Sequence, residues 1–136
     1  MKTLLGLACL LAIAHGSHAI AAEPDTLNPG RWAKTIEEFV LWDSKNSVPE
    51  NAILFVGSSS IVYWPTAASF PGLPVVNRGF GGSQISDVNH YFDKVVEPHA
   101  PAKIVLYAGD NDIAFGKTPD EVLADFKAFA DRVRNK

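Results

Sequence analysis

Residues 52–60 read Ala-Ile-Leu-Phe-Val-Gly-Ser-Ser-Ser, and this stretch decides the fold class of the chain. Its first five residues form an uninterrupted apolar run that is partly β-branched, which is typical of a strand buried on both faces of a parallel sheet. Gly57 closes the run and three serines follow, so the chain leaves the sheet through a small polar loop. The stretch therefore predicts one strand–loop–helix unit, with its strand over residues 52–56.

Two further units of the same kind follow along the chain. A second strand is predicted near residues 74–77, followed by glycines and by a helix that is apolar on one face. A third strand is predicted over residues 103–107 and ends before Gly109. The apolar face of the intervening helix consists of Ile85, Val88, Phe92 and Val95.

The last helix has a strong start signal. Thr118 is suited to the N-cap, Pro119 to the first helical position, and Glu121 closes a capping box. The predicted buried stripe of this helix consists of Val122, Phe126, Phe129 and Val133.

Strands that alternate with helices predict an α/β fold, a three-layer, doubly wound parallel sheet of the flavodoxin-like type. Each unit needs roughly 30 residues, and about 85 residues run from Ala52 to Lys136, so only three units fit. The full flavodoxin-like strand order is 2-1-3-4-5. We therefore expect the first and third strands to be neighbours, the last two units to be lacking, and the outer edge of the third strand to be unpaired and hydrophobic.

The N-terminal residues predict export. Lys2 precedes an unbroken apolar stretch from Leu4 to Ala14, and small residues follow up to Ala22. This is the pattern of a signal peptide over residues 1–22, and its apolar stretch is shorter than the roughly 20 residues that cross a bilayer. We expect a periplasmic or extracellular product without stable membrane insertion. A retained anchor helix and lipid attachment at Cys9 are the weaker alternatives.

Residues 23–30 contain two prolines and a glycine and predict a linker, and one domain is expected over residues 31–136. The domain begins with a short amphipathic helix, whose apolar residues are Trp32, Ile36, Phe39 and Val40.

The composition excludes several classes of protein. The chain is 47% hydrophobic and 20% charged, as globular domains are, and its formal net charge is −3. Because no basic run could follow a phosphate backbone, nucleic acid is not an expected partner. Cys9 is the single cysteine and lies in the predicted signal peptide, so disulfides and thiolate metal sites are not expected. We expect no metal and no cofactor.

Three small, polar loops follow the carboxyl ends of the predicted strands. They cover residues 57–60, 77–84 and 108–112, and we call them the carboxyl-edge loops. Ligands of doubly wound sheets bind at this edge, so any function is expected here.

The carboxyl-edge loops resemble the first three sequence blocks of the GDSL, or SGNH, hydrolase family. Gly57-Ser58-Ser59-Ser60 stands where the family has Gly-Asp-Ser-Leu, and the resemblance makes Ser59 the nucleophile. Gly82 matches the glycine whose backbone N–H serves the oxyanion hole. Gly109-Asp110-Asn111-Asp112 matches the third block, Gly-x-Asn-Asp, in full, which implies that Asn111 is the oxyanion-hole side chain.

The resemblance covers about residues 31–136 and, with Trp64 after the serine loop, is strongest to platelet-activating-factor-acetylhydrolase-like bacterial esterases and lipases. The chemistry agrees, because a serine hydroxyl at a strand-to-helix turn becomes nucleophilic beside a base. Two backbone N–H groups, of Ser59 and Gly82, and the Asn111 amide are the candidate oxyanion donors. Ser58 and Ser83 stand where the family commonly has aspartates, which puts the local hydrogen bonding there in question.

Each of these residues also has a structural interpretation. Ser59 is suited to a helix N-cap, Gly81 and Gly82 to a turn, and Asn111 to an Asx turn.

The family's fourth block, Asp-x-x-His, supplies the base, and no histidine follows Asn111. The run from Asp87 to His90 has the same letters, but helical periodicity puts His90 on a polar face, about 10 Å along the helix axis from Ser83. His99 precedes the third strand and is expected at the opposite end of the sheet, in a structural or solvated role. We therefore expect a partial chain that hydrolyses p-nitrophenyl acetate slowly or not at all.

The predicted function is a secreted serine hydrolase that acts on a small-molecule acyl or acetyl ester. The alternatives are an anion- or flavin-phosphate-binding module at residues 57–60, and a non-catalytic carbohydrate-binding remnant. Flavodoxins share the topology but do not have the Gly-x-Asn-Asp block.

Overall fold

A computed structural model describes residues 28–135. The predicted signal peptide and residues 23–27 of the predicted linker lie outside the described residues. The helices are α1 (Ala33–Asp43), α2 (Ser59–Val62), α3 (Thr66–Ser69), α4 (Ile85–His90), α5 (Phe92–Val95), α6 (Asp110–Ala114) and α7 (Pro119–Arg134), and the strands are β1 (Ile53–Gly57), β2 (Val75–Gly79) and β3 (Lys103–Tyr107). Short 3-10 helices cover Pro29–Trp32 and Glu97–His99. No helix of the described part is long and apolar enough to cross a membrane.

The three strands form one parallel sheet in the order β2-β1-β3, as the sequence predicts. Phe55 at the centre of β1 is aligned with Asn77 on one side and with Val105 on the other. Within residues 28–135, β3 pairs with β1 alone, and its second edge is unpaired. The expected open edge of the third strand is therefore present.

The core forms on both faces of β1, which is buried as its apolar run predicts. Leu54 and Val56 are fully buried on the face covered by α1, α4, α5 and α7. Phe55 points to the other face, where its ring lies 5.4 Å from Trp64 and 5.5 Å from Phe70. Each such side chain contributes about 1.5–3 kcal/mol on burial, so β1 is the strand on which the fold depends.

The single helix predicted between β2 and β3 is instead divided into α4 and α5 at Tyr91. The Tyr91 hydroxyl donates to the Pro29 carbonyl oxygen at 2.8 Å. The carbonyl oxygen of Asn89 accepts from the Arg132 guanidinium, so a long-range partner occupies a helical acceptor at the break. The four predicted apolar side chains are nevertheless buried on one side of the α4–α5 pair.

The start of α7 is confirmed, because Thr118 and Glu121 form the predicted capping box with Pro119 in the first turn. The predicted stripe is only partly correct. Phe129 is buried, but Phe126 is 48% exposed. Phe126 instead lines an open surface cavity together with Ile104 and Leu106 of β3.

Three further expectations need correction. Val40 is 46% exposed, although α1 buries Ile36. Strand β2 extends to Gly79, two residues beyond the predicted end, because Arg78 and Gly79 still pair in register with Val56 and Gly57 of β1. Pro29 and Gly30, within the predicted linker, belong to a 3-10 helix.

Candidate active site

The first carboxyl-edge loop places Ser59 at the first position of α2, half-buried at the edge of the sheet. The turn depends on Gly57, whose φ is +135° and where an added Cβ would lie 1.9 Å from the Tyr107 carbonyl oxygen. That oxygen instead accepts a hydrogen bond from the Ser58 N–H at 2.9 Å. Helix α2 is four residues long, so little helix dipole reaches residues 57–60 for the anion-binding alternative.

The second loop lies beside the first. The Phe80 N–H donates to the Gly57 carbonyl oxygen at 2.9 Å, and a Cβ added at Gly81 would lie 3.8 Å from the Cβ of Ser59. Gly82 follows with φ +77°, a conformation that L side chains rarely adopt. Gly82 thus directly follows the glycine that borders Ser59, and its own side faces the Trp32 ring.

The third loop is joined to the second by its side chains. The Asn111 amide donates one N–H to the Ser83 carbonyl oxygen at 3.0 Å. The carboxylate of Asp112, which is 0% exposed, accepts the Ile85 N–H at 3.1 and 3.3 Å. The predicted residues Ser59, Gly82 and Asn111 thus lie on loops that meet at one edge.

Hydrogen-bond donors remain available at this edge. In the described part of the chain, neither the Ser59 N–H nor the Gly82 N–H donates a hydrogen bond to a protein atom. Among the described residues, the Asn111 amide has one acceptor, the Ser83 carbonyl oxygen, for its two N–H groups. Unpaired N–H groups beside a hydroxyl are the parts from which an oxyanion hole is built.

Neither described histidine lies with these loops. His90 is exposed on α4 with its ring 4.6 Å from that of Tyr91, on the polar face where it is predicted. His99 is 3% exposed and precedes β3, with Nε2 3.6 Å from Asp43 Oδ2. Its predicted place at the opposite end of the sheet is confirmed, and of its two predicted roles the structural one applies.

Burial lowers the pKa of His99, and the Arg78 guanidinium lowers it further, against an opposing effect of Asp43. Protonation of His99 is therefore disfavoured in the core, away from Ser59.

The two serines that replace family aspartates are fully buried. Within residues 28–135, the hydroxyl oxygens of Ser58 and Ser83 have no hydrogen-bond partner. The same holds for the indole nitrogen of Trp32, whose ring lies 3.5 Å from the position of a Cβ on Gly82.

Sequence reasoning missed Trp32 and Lys117 as neighbours of the site. The sequence predicts Trp32 only as an apolar helix position, whereas its ring borders Gly82 and lies 5.7 Å from the Phe80 ring, edge to face. Lys117 binds the buried Asp112 at 2.9 Å. Its spacing of five residues from Asp112 carries no helical or strand periodicity, so no pattern could have revealed the contact. Among the described residues, no group of three or more histidines, cysteines and acids is placed to hold a metal.

Comparison with known proteins finds no matching family model and no matching curated protein. Among solved structures, a protein from Streptococcus pneumoniae described as a platelet activating factor is similar, with 26% sequence identity and a TM-score of 0.60 over 78% of this chain. A GDSL-like lipase from Bacteroides thetaiotaomicron has a TM-score of 0.63 with 20% identity over 82% of this chain. In both cases 55% of the other chain is covered, so this chain spans about half the length of the structures it matches.

These similarities agree with the resemblance to the GDSL/SGNH hydrolases that the three sequence blocks carry. They also confirm the fold class, because the α/β architecture and the β2-β1-β3 parallel sheet correspond to part of that fold.

Proposed function

We propose that this protein is a hydrolase of carboxylic esters in which Ser59 is the nucleophile. The N–H groups of Ser59 and Gly82 and the amide of Asn111 form its oxyanion hole. The supporting observation is the meeting of the three carboxyl-edge loops, with Gly81 against Ser59 and Asn111 bonded to Ser83. The two backbone N–H groups have no internal acceptor in the described part of the chain, so they are free for a substrate oxygen.

In the proposed reaction, Ser59 Oγ attacks the ester carbonyl carbon while its proton passes to a general base. The carbonyl oxygen becomes negatively charged in the tetrahedral intermediate. It then accepts hydrogen bonds from the Ser59 N–H, the Gly82 N–H and the Asn111 amide. The intermediate expels the alcohol, which takes the proton from the base, and water then hydrolyses the acyl-serine. Loss of one oxyanion donor typically lowers the rate by about 10²–10³.

The general base must come from outside the described residues. His90 is exposed on α4, and His99 is buried at the other end of the sheet. The family resemblance implies an Asp-x-x-His block for this role. The proposal accordingly expects slow or absent turnover by the present chain unless a base is supplied.

The proposal also covers location and substrate. The apolar stretch from Leu4 to Ala14, preceded by Lys2, supports export to the periplasm or beyond. The substrate class is a small-molecule acyl or acetyl ester, because the oxyanion hole and nucleophile act on an ester carbonyl and require no cofactor.

The proposal is tested by covalent labelling of the purified chain with a fluorophosphonate, in buffer that contains imidazole as an external base. Mass spectrometry is expected to locate the phosphonyl group on Ser59. Ser59→Ala should abolish labelling, whereas Ser60→Ala, the change of the exposed neighbouring serine, should retain it. Labelling no faster than in Ser59→Ala would reject the nucleophile. Brisk hydrolysis of p-nitrophenyl acetate that depends on Ser59 would instead reject the requirement for an outside base.

A further inference from the structure

Lys117 joins three helices close to the proposed oxyanion hole. Its ammonium group donates to Asp112 Oδ1 at 2.9 Å, to Ser86 Oγ at 2.8 Å and to Asp125 Oδ2 at 2.7 Å. These acceptors belong to α6, α4 and α7 respectively. The Lys117 N–H also donates to the Asp112 carbonyl oxygen at 2.9 Å, so its backbone and side chain hold the same residue.

Asp112 connects this lysine to the carboxyl-edge loops. Its carboxylate accepts the N–H of Ile85, the first residue of α4, while the adjacent Asn111 donates to the carbonyl oxygen of Ser83. Residues 111–112 therefore hold both ends of the segment from Ser83 to Ile85. That segment begins one residue after Gly82, so its position sets that of the proposed Gly82 donor.

The burial of Asp112 makes it dependent on a cation. Its side chain is 0% exposed, and the ammonium of Lys117 is the cation that pairs with it among the described residues. A buried carboxylate without a counter-charge is strongly disfavoured and tends to take up a proton or to move toward water. Either change would weaken the hydrogen bond to Ile85.

From these contacts we infer that Lys117 is a positioning residue for the oxyanion hole, acting through Asp112 on Gly82 and Asn111. The inference rests on the proposed function. It implies that replacing Lys117 slows the attack by Ser59 more than a loss of stability alone would explain.

Arg132 provides a matched control for a purely structural role. It is also a partly buried cation joining α7 to α4 and α5, since it donates to the Asn89 carbonyl oxygen and lies 4.2 Å from the centre of the Phe92 ring. Its described contacts lie away from the carboxyl-edge loops. Arg132→Met should therefore lower the melting temperature without changing the chemistry at Ser59.

The test compares the kinetics of Ser59 labelling by a fluorophosphonate in the wild-type chain, Lys117→Met and Arg132→Met. Lys117→Met is expected to lower the limiting rate by about 10- to 100-fold, with the apparent affinity for the probe changed by less than about twofold. In ¹⁵N-labelled protein, the Gly82 amide and Asn111 side-chain signals should shift in Lys117→Met and stay in place in Arg132→Met. If Lys117→Met does not fold, Ser86→Ala combined with Asp125→Asn removes two of the three Lys117 acceptors and should lower the limiting rate at least about threefold.

Each outcome decides the inference. A wild-type limiting rate in the Lys117 variant, or equal losses in both single variants, overturns it. If the wild-type chain is not labelled at Ser59 above Ser59→Ala, the proposed function fails and the inference falls with it. The wild-type measurement alone reveals that failure, so the two are distinguishable.

Discussion

The carboxyl-edge loops and the outer flank of the sheet differ in how much of their polar and apolar surface is paired or buried. We define the outer flank as Val105 and Tyr107 on β3 with Phe126 on α7, which are 36%, 48% and 48% exposed. The loops bond to one another and to the strand ends, whereas within residues 28–135 the flank has an unpaired strand edge and partly exposed apolar side chains. Open apolar edges are ordinarily covered in folded proteins. The contrast shows that three strands suffice to assemble the proposed nucleophile and donors, but not to close the sheet.

The largest expected effect tests the tight packing of the carboxyl edge. Gly57→Ala would place a methyl group 1.9 Å from a carbonyl oxygen at a φ of +135°, and should cost more than about 4 kcal/mol. Gly72→Ala is the matched control, because its φ is +81° with nothing within 4 Å of the added carbon. It should cost about 1–2 kcal/mol. Urea denaturation of both variants measures the difference, and equal losses would show that the edge is not tightly packed.

The second-largest effect is expected on α7, where a buried and a half-exposed phenylalanine can be compared on one helix. Phe129 is 4% exposed and Phe126 is 48% exposed on α7. Phe129→Ala should cost about 3–5 kcal/mol, whereas Phe126→Ala should cost less than about 1 kcal/mol. Thermal unfolding of the two variants is the measurement. A larger loss in Phe126→Ala would mean that the flank is covered in solution.

A third prediction concerns pH and the amino end of the sheet, away from both regions. Because burial lowers the pKa of His99 in the folded state, the unfolded chain binds more protons below about pH 6.5. The free energy of unfolding should therefore fall as the pH drops below that value, and level off below the folded-state pKa. His99→Gln should remove the contribution of His99 to this pH-dependent loss of unfolding free energy. His90→Gln, at an exposed position, should leave that contribution unchanged. Denaturation midpoints from pH 7.5 to 5 test the sign.

The smallest effect is expected at a buried position of the carboxyl edge. The Ser58 hydroxyl has no hydrogen-bond partner in the described part of the chain, so Ser58→Ala should change the free energy of unfolding by less than about 0.5 kcal/mol. Asn77→Ala is the contrasting variant, because that amide donates to the Ile61 carbonyl oxygen at 2.7 Å and accepts from the Gly79 N–H at 2.9 Å. It should cost about 1–3 kcal/mol. Similar losses in the two variants would indicate that the Ser58 hydroxyl is bonded in solution.

Much of the fold could be predicted from local patterns. The apolar run of β1, the alternation of strands with helices and the capping box of α7 each depend on neighbours in the sequence, and all three are confirmed. The errors lie where distant residues decide. The break between α4 and α5 falls where Asn89 and Tyr91 have partners far along the chain, and β2 continues because Gly79 still pairs with Gly57 of β1.

The candidate site divides in the same way. The sequence blocks predict that Ser59, Gly82 and Asn111 follow strands at one edge, and the structure brings their loops together there; their chemical roles stay predictions. The ion pair between Lys117 and Asp112, and the ring of Trp32 beside Gly82, had no sequence signal. A lysine five residues from an aspartate and a tryptophan at a helix start are common in any protein.

By itself, then, the sequence determined the strand order, the position of the three loops and the resemblance to a hydrolase family, because these follow from periodicity, topology rules and short blocks of residues. The tertiary structure decided which polar groups are paired and which are left with free N–H donors. It also decided that His99 is buried in the core, where burial lowers its pKa, and that β3 has an unpaired edge within residues 28–135. The physical reason is that burial and hydrogen bonding join residues far apart in the chain, and no local pattern records such a contact.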